Sequence, residues 1–248
     1  MKAMVLAAGL GTRLRPLTND RPKALVTVGG RTLLQITLER LRTAGVGEVI
    51  VNVHHFADMV IDYLKANDDF GLRIAVSREE ELLDTGGGLK KASWFFLDDN
   101  GSTYEPFILH NVDVISTIDL NRMVRFHTDR GALASLAVQE RETSRYLLVE
   151  SDGQLCGRRA GRDGKIEMVR PETSPKAVAF SGIHVISPRL LTKMKDDGAF
   201  SIIRTYLQLA GEGEKIVAFC ADEYYWRDLG RPESLIQAEQ DMRNGVFI

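Results

Sequence analysis

Cysteine is scarce: Cys156 and Cys220 stand far apart, with neither C-x-x-C nor zinc-ligand spacing. A disulfide framework and a zinc ribbon are thereby excluded, and two free thiols in a reducing cytoplasm are expected. Net charge is equally short, with 32 Lys plus Arg against 34 Asp plus Glu and a formal −2 at pH 7. There is no global field to recruit nucleic acid or an anionic membrane, so neither is expected as a partner and positive charge has to act locally. Lys2 ahead of a short apolar run superficially resembles a signal peptide, but the run is too short for an h-region. No stretch is long enough to cross a bilayer, and no internal repeat or low-complexity linker is visible. Two familiar phosphate motifs are missing too. A dinucleotide fingerprint would need G-x-G-x-x-G with a carboxylate about twenty positions on, but Leu14 fills the last glycine position and 28–31 holds no acid. A P-loop, G-x-x-x-x-G-K-[ST], occurs nowhere.

What is present is concentrated in residues 6–31, LAAGLGTRLRPLTNDRPKALVTVGGR. A short apolar strand runs into a glycine-rich turn carrying Arg13, and Pro22-Lys23 follows. Gly9 and Gly11 lack a Cβ, so the backbone there can take positive φ and bring N–H groups close to anionic oxygens. Arg13 offers a planar fork and Lys23 a compact ammonium, the pair of cations a polyphosphate needs. A purely structural turn would have to gather all five residues by coincidence.

At 248 residues and 44% hydrophobic content, the chain can bury one substantial α/β core. A single domain is expected over 1–248. Strand-like runs at 3–6, 48–53, 72–76, 107–110 and 134–138 alternate with helix-like stretches at 33–44, 57–65, 88–95 and 120–130. Gly45 reads as a helix stop and Asp119 as an N-cap. Beyond Glu140 the pattern turns to hairpins, 146–150 and 154–157 around Asp152-Gly153, with a second turn at Asp163-Gly164, which together predict an antiparallel flap added to the sheet. Helices resume at 188–195, 202–209 and 232–242, with a strand at 215–219. Parallel sheets place ligands at the carboxyl ends of their strands, so the glycine loop, His54-His55, Ser77-Arg78-Glu79 and Asn111 to Asp113 should open onto one edge.

The pattern L-A-A-G-x-G-T-R-L-x-P-L-T, with P-K and V-x-G after it, resembles the N-terminal signature of the sugar-1-phosphate nucleotidyltransferases. Asp84-Thr85-Gly86-Gly87-Gly88, His110-Asn111-Val112-Asp113, Phe180-Ser181-Gly182-Ile183 and Trp226-Arg227-Asp228-Leu229-Gly230-Arg231-Pro232-Glu233 extend the match over nearly the whole chain. The resemblance implies a Rossmann-like nucleotide-diphospho-sugar transferase fold: a mixed, mostly parallel sheet with helices on both faces. It also implies an enzyme joining an NTP to a sugar 1-phosphate, and a Mg²⁺ held by Asp113 and Asp228. Arg13, Lys23 and Asp113 are then the catalytic residues, with 1–139 as the nucleotide-binding part and 140–248 carrying the sugar side and the second metal ligand. Nucleotide contacts are expected at Leu6, Ala8, Gly9, Gly11, Thr12, Arg13, Lys23 and Asn111, and at Thr85, Gly86, Gly87 and Gly88, whose bare backbone would pack against the base.

The sugar side is less defined. Gly182 would let the sugar ring approach, but the Glu-Lys-Pro motif of many relatives is replaced by Cys156-Gly157-Arg158-Arg159, leaving Arg158 or Arg159 to meet the sugar phosphate. His54-His55, His110 and His127 are expected to be structural, Glu79 to Glu81 a solvated acidic patch, and Trp226 packing rather than a sugar platform. Chain length and the T-G-G-G loop most resemble N-acetylmuramate-1-phosphate uridylyltransferases, which favours UTP. GTP-dependent mannose-1-phosphate or heptose-1-phosphate enzymes are the near alternative, and a turnover-free nucleotide-sugar sensor the distant one. A cytoplasmic monomer or homodimer is expected.

Overall fold

The computed structural model describes residues 1–97, 105–160 and 164–247. In chain order the strands are β1 (Lys2–Leu6), β2 (Thr27–Val28), β3 (Arg31–Thr32), β4 (Glu48–Val53), β5 (Arg73–Arg78), β6 (Phe107–Asn111), β7 (Val114–Ser116), β8 (Ala134–Gln139), β9 (Arg145–Val149), β10 (Leu155–Ala160), β11 (Lys165–Met168), β12 (Lys176–Ile186), β13 (Ile216–Cys220) and β14 (Trp226–Asp228). The helices are α1 (Leu33–Thr43), α2 (Ala57–Ala66), α3 (Asp84–Lys91), α4 (Leu120–Arg130), α5 (Ile202–Gly211) and α6 (Pro232–Arg243).

Strands β6, β1, β4 and β5 are parallel neighbours in that order. Their unbroken apolar runs suit strands covered on both faces. Val5, Val49 and Val51 pack with Leu34, Leu38, Val60 and Met123 in one layer, while Met4, Ile50 and Leu109 pack with Leu89, Ile202 and Tyr206 in the other. That alternation puts α1, α2 and α4 on one face and α3 and α5 on the opposite one.

Strand β12 ties the parallel part to the rest of the sheet. One edge pairs with β8; on the other, 183–186 pair with β6 and 176–179 with β9. Because β12 is antiparallel to β6, its first half runs past the carboxyl end of β6 to pair with β9, and β9 and β10 pack back against α5 and β13, with Ala218 N donating to Gly153 O at 2.9 Å. This is the expected flap, built as a continuation of the main sheet; in its second turn Asp163 lies outside the described residues. β8, antiparallel to β12, points the same way as β6, and β13 is parallel to β8, so six strands, β5, β4, β1, β6, β8 and β13, end on one edge.

Asp119 accepts from Arg122 N at 2.8 Å as the N-cap of α4, and Gly45 (φ 85°) closes α1 by donating to Arg42 O at 2.9 Å. Two helical expectations need correction. The helix expected at 88–95 begins at Asp84 and ends at Lys91, followed by a 3-10 turn at Ser93–Phe95, and the segment expected at 188–195 is a 3-10 turn, Pro188–Lys193. Glycine is a poor helix former, and at Gly86 to Gly88 tertiary contacts to Phe200 override that propensity.

His110, His127 and His184 are buried. His110 Nδ1 donates to Asn111 O at 2.8 Å, His127 sits between Ser135 Oγ (3.0 Å) and Ser187 Oγ (2.9 Å), and His184 Nδ1 meets Tyr206 Oη at 2.7 Å. Burial pushes their pKa values down to about 3, about 4 and about 3. The folded state therefore holds them neutral while the unfolded chain takes up protons below about pH 6.5. Their contribution is fully present above that pH and is lost as pH falls toward 4 and then 3. At roughly 1.4 kcal/mol per pH unit per ring, urea unfolding at pH 5.5 should show about 4 kcal/mol less stability than at pH 7.5. Equal midpoints at the two pH values would contradict this.

Candidate active site

The carboxyl ends of β1, β4, β5 and β6 surround a cleft of ≈ 550 Å³, lined by 6–13, Lys23, Asn52, Glu79, Leu82, Asp84, Thr85, Asn111 to Asp113, Ala199 and Gly230. Leu6, Ala8, Gly9, Gly11, Thr12, Arg13, Lys23, Thr85, Asn111 and Asp113 are thus brought together as expected.

Within the loop the two glycines divide the work. Gly11 takes the left-handed conformation (φ 63°), and a Cβ there would lie 3.0 Å from Thr18 and 3.2 Å from Lys23. Gly9 has ordinary φ and open space where its Cβ would be, so its backbone is bare toward the cleft. Leu14, fully buried, anchors the 3-10 turn Thr12–Leu14 and leaves Arg13 exposed beside it.

Lys23, 8% exposed, donates from Nζ to Asp113 Oδ2. Asp113 lies two residues beyond β6, and Leu229 N donates to its carbonyl at 2.8 Å. β14 then runs antiparallel to β7 with Asp228 opposite Val114, which sets Asp228 beside Asp113. Arg40, reaching across from α1 to Ser116 Oγ (2.5 Å) and Ile118 O, fixes β7 in place. Burial lowers the Arg40 pKa to about 10, which leaves it charged at neutral pH. Asp228 Oδ1 accepts from Gly230 N at 2.7 Å, while α6 is entered through Arg231 with no side-chain cap. A Cβ on Gly230 would fall 2.4 Å from Arg13 Nη2 and 2.7 Å from Asp228 Oδ1. Lys23 and Asp113 are therefore paired in the cleft, and Arg13 and Asp228 converge on Gly230 at its wall. Among the described residues no three His, Cys, Asp or Glu gather as a metal cage.

Gly86, Gly87 and Gly88 require a correction. They are the buried first turn of α3, and the room freed by each missing Cβ is filled by protein: Phe200 at 2.4 Å, Gly198 O at 2.1 Å, and Glu79 Oε1 at 2.7 Å. Gly86 N and Gly87 N donate to Phe200 O at 2.8 and 3.3 Å, and Thr85 Oγ1 accepts from Ile202 N at 3.0 Å. The N–H groups expected to face a base dock α3 onto the segment entering α5 instead. Gly87→Ala should accordingly lower the melting temperature by several degrees, since overpacking against backbone costs about 1–3 kcal/mol. An unchanged melting curve with a raised KM for the NTP would return the glycine to the base site.

Gly182 also owes its identity to the protein. It sits at an irregularity in β12 with φ 74°, and a Cβ would lie 2.9 Å from Asn111 Nδ2 and from Val114. Arg158 donates from Nε to Glu167 Oε2 at 2.7 Å on the β10–β11 hairpin, and Arg159 stacks over Tyr146 at 4.6 Å. Neither lines the cleft. His54 Nδ1 meets Glu79 O at 2.9 Å and bridges the ends of β4 and β5, while His55 is exposed against Phe56.

The roles of two cleft residues, Asn52 and Glu79, escaped the sequence reading. Glu79 lies on the shared edge as expected but is 3% exposed, not part of a solvated patch; of the three acids only Glu80 and Glu81 are exposed. Its Oε1 accepts from Asn52 Nδ2 (2.6 Å) and its Oε2 from Leu83 N (3.0 Å), while Asn52 Oδ1 accepts from Ala7 N at 2.7 Å. This chain of bonds locks the glycine loop to the start of α3. The one available signal was a polar residue near the end of the apolar run EVIVNV.

A nucleotidyl transferase family model matches residues 2–245. N-acetylmuramate alpha-1-phosphate uridylyltransferase of Caulobacter vibrioides is 37% identical over 246 residues, covering 96% of this chain and 95% of that one. A probable mannose-1-phosphate guanylyltransferase of Arabidopsis thaliana is 30% identical over 243 residues; the chain spans only 63% of its length. Among solved structures, a putative glucose-1-phosphate thymidylyltransferase from Bacillus anthracis superposes with a TM-score of 0.78 at 18% identity, over 100% of this chain and 97% of that one, a likeness of fold.

Proposed function

Since the chain belongs to the nucleotidyl transferase family, we propose that it transfers a uridylyl group from UTP to N-acetylmuramate 1-phosphate, releasing pyrophosphate. The observation that carries this reading is a glycine loop at the strand ends flanked by the Lys23–Asp113 pair and by Arg13 and Asp228 converging on Gly230. Both reactants are polyanions, so catalysis is mostly neutralisation and alignment. An oxygen of the acceptor phosphate attacks the α-phosphorus, the α–β bridging bond breaks, and its electrons leave on pyrophosphate. Arg13, Lys23 and the loop amides face the charge that grows on this leaving group. No general base is required, because the attacking oxygen is already ionised at neutral pH.

Asp113 and Asp228 suit Mg²⁺, which prefers hard oxygen ligands and is commonly held by one or two carboxylates together with substrate phosphates and water. When bound there, the ion neutralises phosphate charge around the reacting phosphorus. The protein's part is to set the two carboxylates side by side through the Asp113 O to Leu229 N bond and the β7–β14 pairing.

UTP and GTP at equal concentration, with N-acetylmuramate 1-phosphate or mannose 1-phosphate as acceptor, test the assignment. A UDP-sugar from N-acetylmuramate 1-phosphate is expected. Predominant GDP-mannose would replace the uridylyl reading with a guanylyl one and leave the reaction class standing.

A further inference from the structure

The nucleotide side of the cleft has its cations, but Arg158 and Arg159, the arginines expected to receive the acceptor phosphate, are held by Glu167 and Tyr146. Another arginine feels the charge of Asp228. Arg141 lies two residues beyond β8, at the end of a strand opening onto the active edge. Its guanidinium stacks on the Trp226 indole, 3.7 Å from the ring centroid, and donates from Nη2 to Phe180 O at 2.8 Å. Trp226 is itself tied down, donating from Nε1 to Ser181 O at 2.7 Å. Residues 180–182 belong to the irregular stretch of β12 that packs against the cleft residue Asn111 through Gly182. Trp226 and Asp228 are two apart on β14, so their side chains leave the strand on the same side, and the Asp228 carboxylate acts electrostatically on Arg141.

Building on the nucleotidyltransferase reading, we infer that Arg141 binds the phosphate of the incoming sugar 1-phosphate, on a platform made by Trp226 and the Phe180 carbonyl. A guanidinium serving only as a strut for β12 would have its buried N–H groups satisfied. Instead Nε is buried and, among the described residues, has no hydrogen-bond acceptor. A buried donor left unmatched on a stacked, half-buried cation suits an anionic oxygen arriving with substrate. Stacking fixes the plane of the fork, which is the geometry that bidentate phosphate binding requires. Arg141 thus occupies on the acceptor side the role that the Glu-Lys-Pro lysine fills in many relatives, from a different strand.

Steady-state rates for the wild type, Arg141→Lys and Arg141→Gln, with UTP and the sugar 1-phosphate varied in turn, test this. Lysine restores the charge but not the fork. Glutamine keeps an N–H donor for Phe180 O but not the charge. Arg141→Gln should raise KM for the sugar 1-phosphate about tenfold or more while changing KM for UTP less than about twofold, and Arg141→Lys should recover part of the loss. Calorimetric titration of Mg-UTP into Arg141→Gln should match the wild type, which also shows that the variant is folded. The inference is overturned by an unchanged KM for the sugar 1-phosphate, by equal rises in both KM values, or by better recovery with glutamine than with lysine. Activity of the wild type in the same assay reports separately on the underlying reaction: a wild type that makes no NDP-sugar overturns both readings, whereas an active wild type with unaffected variants overturns the role of Arg141 alone.

Discussion

Replacing Lys23 with alanine should lower kcat by about 10²-fold or more, because the ammonium acts on charge that grows as pyrophosphate departs. The same change should also cost stability, since it strips Asp113 of the cation that meets its Oδ2. Breaking a fully buried pair costs about 3–5 kcal/mol; with side-chain exposures of 10% for Lys23 and 18% for Asp113, about 1–3 kcal/mol is expected. A melting curve alongside the kinetics keeps the two effects apart. An unchanged kcat in a folded variant would remove Lys23 from the chemistry.

Either Asp113→Asn or Asp228→Asn should abolish most of the activity, and the double variant should be little worse than either single one, because groups that act through one ion are strongly non-additive. Both substitutions preserve local structure. An asparagine oxygen at 228 still accepts from Gly230 N, and one at 113 still accepts from Lys23 Nζ. A readout besides turnover is available in the Mg²⁺ dependence of the melting temperature with UTP present, which the wild type should show and both variants should lose. Fully additive losses would mean that the carboxylates do separate jobs.

How far the sequence could be read depended on the range of the interactions. The loop from Gly9 to Arg13 and Lys23 was readable because its function sits in local features: a left-handed glycine, a fork and an ammonium close together in the chain. The parallel run of β1, β4, β5 and β6 followed from alternating strand and helix patterns, and with it the shared edge that collects Asn111 and Asp113 beside the loop; their order in the sheet did not. Gly86 to Gly88 were misread because a glycine triplet looks the same whether its N–H groups face a ligand or, as here, Phe200 O far along the chain. Asn52 and Glu79 were missed for a similar reason. A polar residue at a strand end is ordinary in sequence, and only the three-dimensional bond from Glu79 through Asn52 to Ala7 gives it meaning. Asp228 was reached through a resemblance, since no local pattern states that β14 will pair with β7. Arg141 was invisible for want of any motif; its place depends on a stacking partner and a carbonyl supplied by two other strands.

The central claim is turnover: a phosphate acceptor and an NTP are joined in the cleft that holds Arg13, Lys23 and Asp113, with Asp228 behind Gly230. Pyrophosphate release from UTP, followed continuously with and without N-acetylmuramate 1-phosphate in the presence of Mg²⁺, tests it most directly. Release should require the acceptor, match the UDP-sugar formed one for one, and disappear in Lys23→Ala. A protein that binds UTP and the sugar phosphate but releases no pyrophosphate with any acceptor or NTP would be a sensor, and would contradict the account.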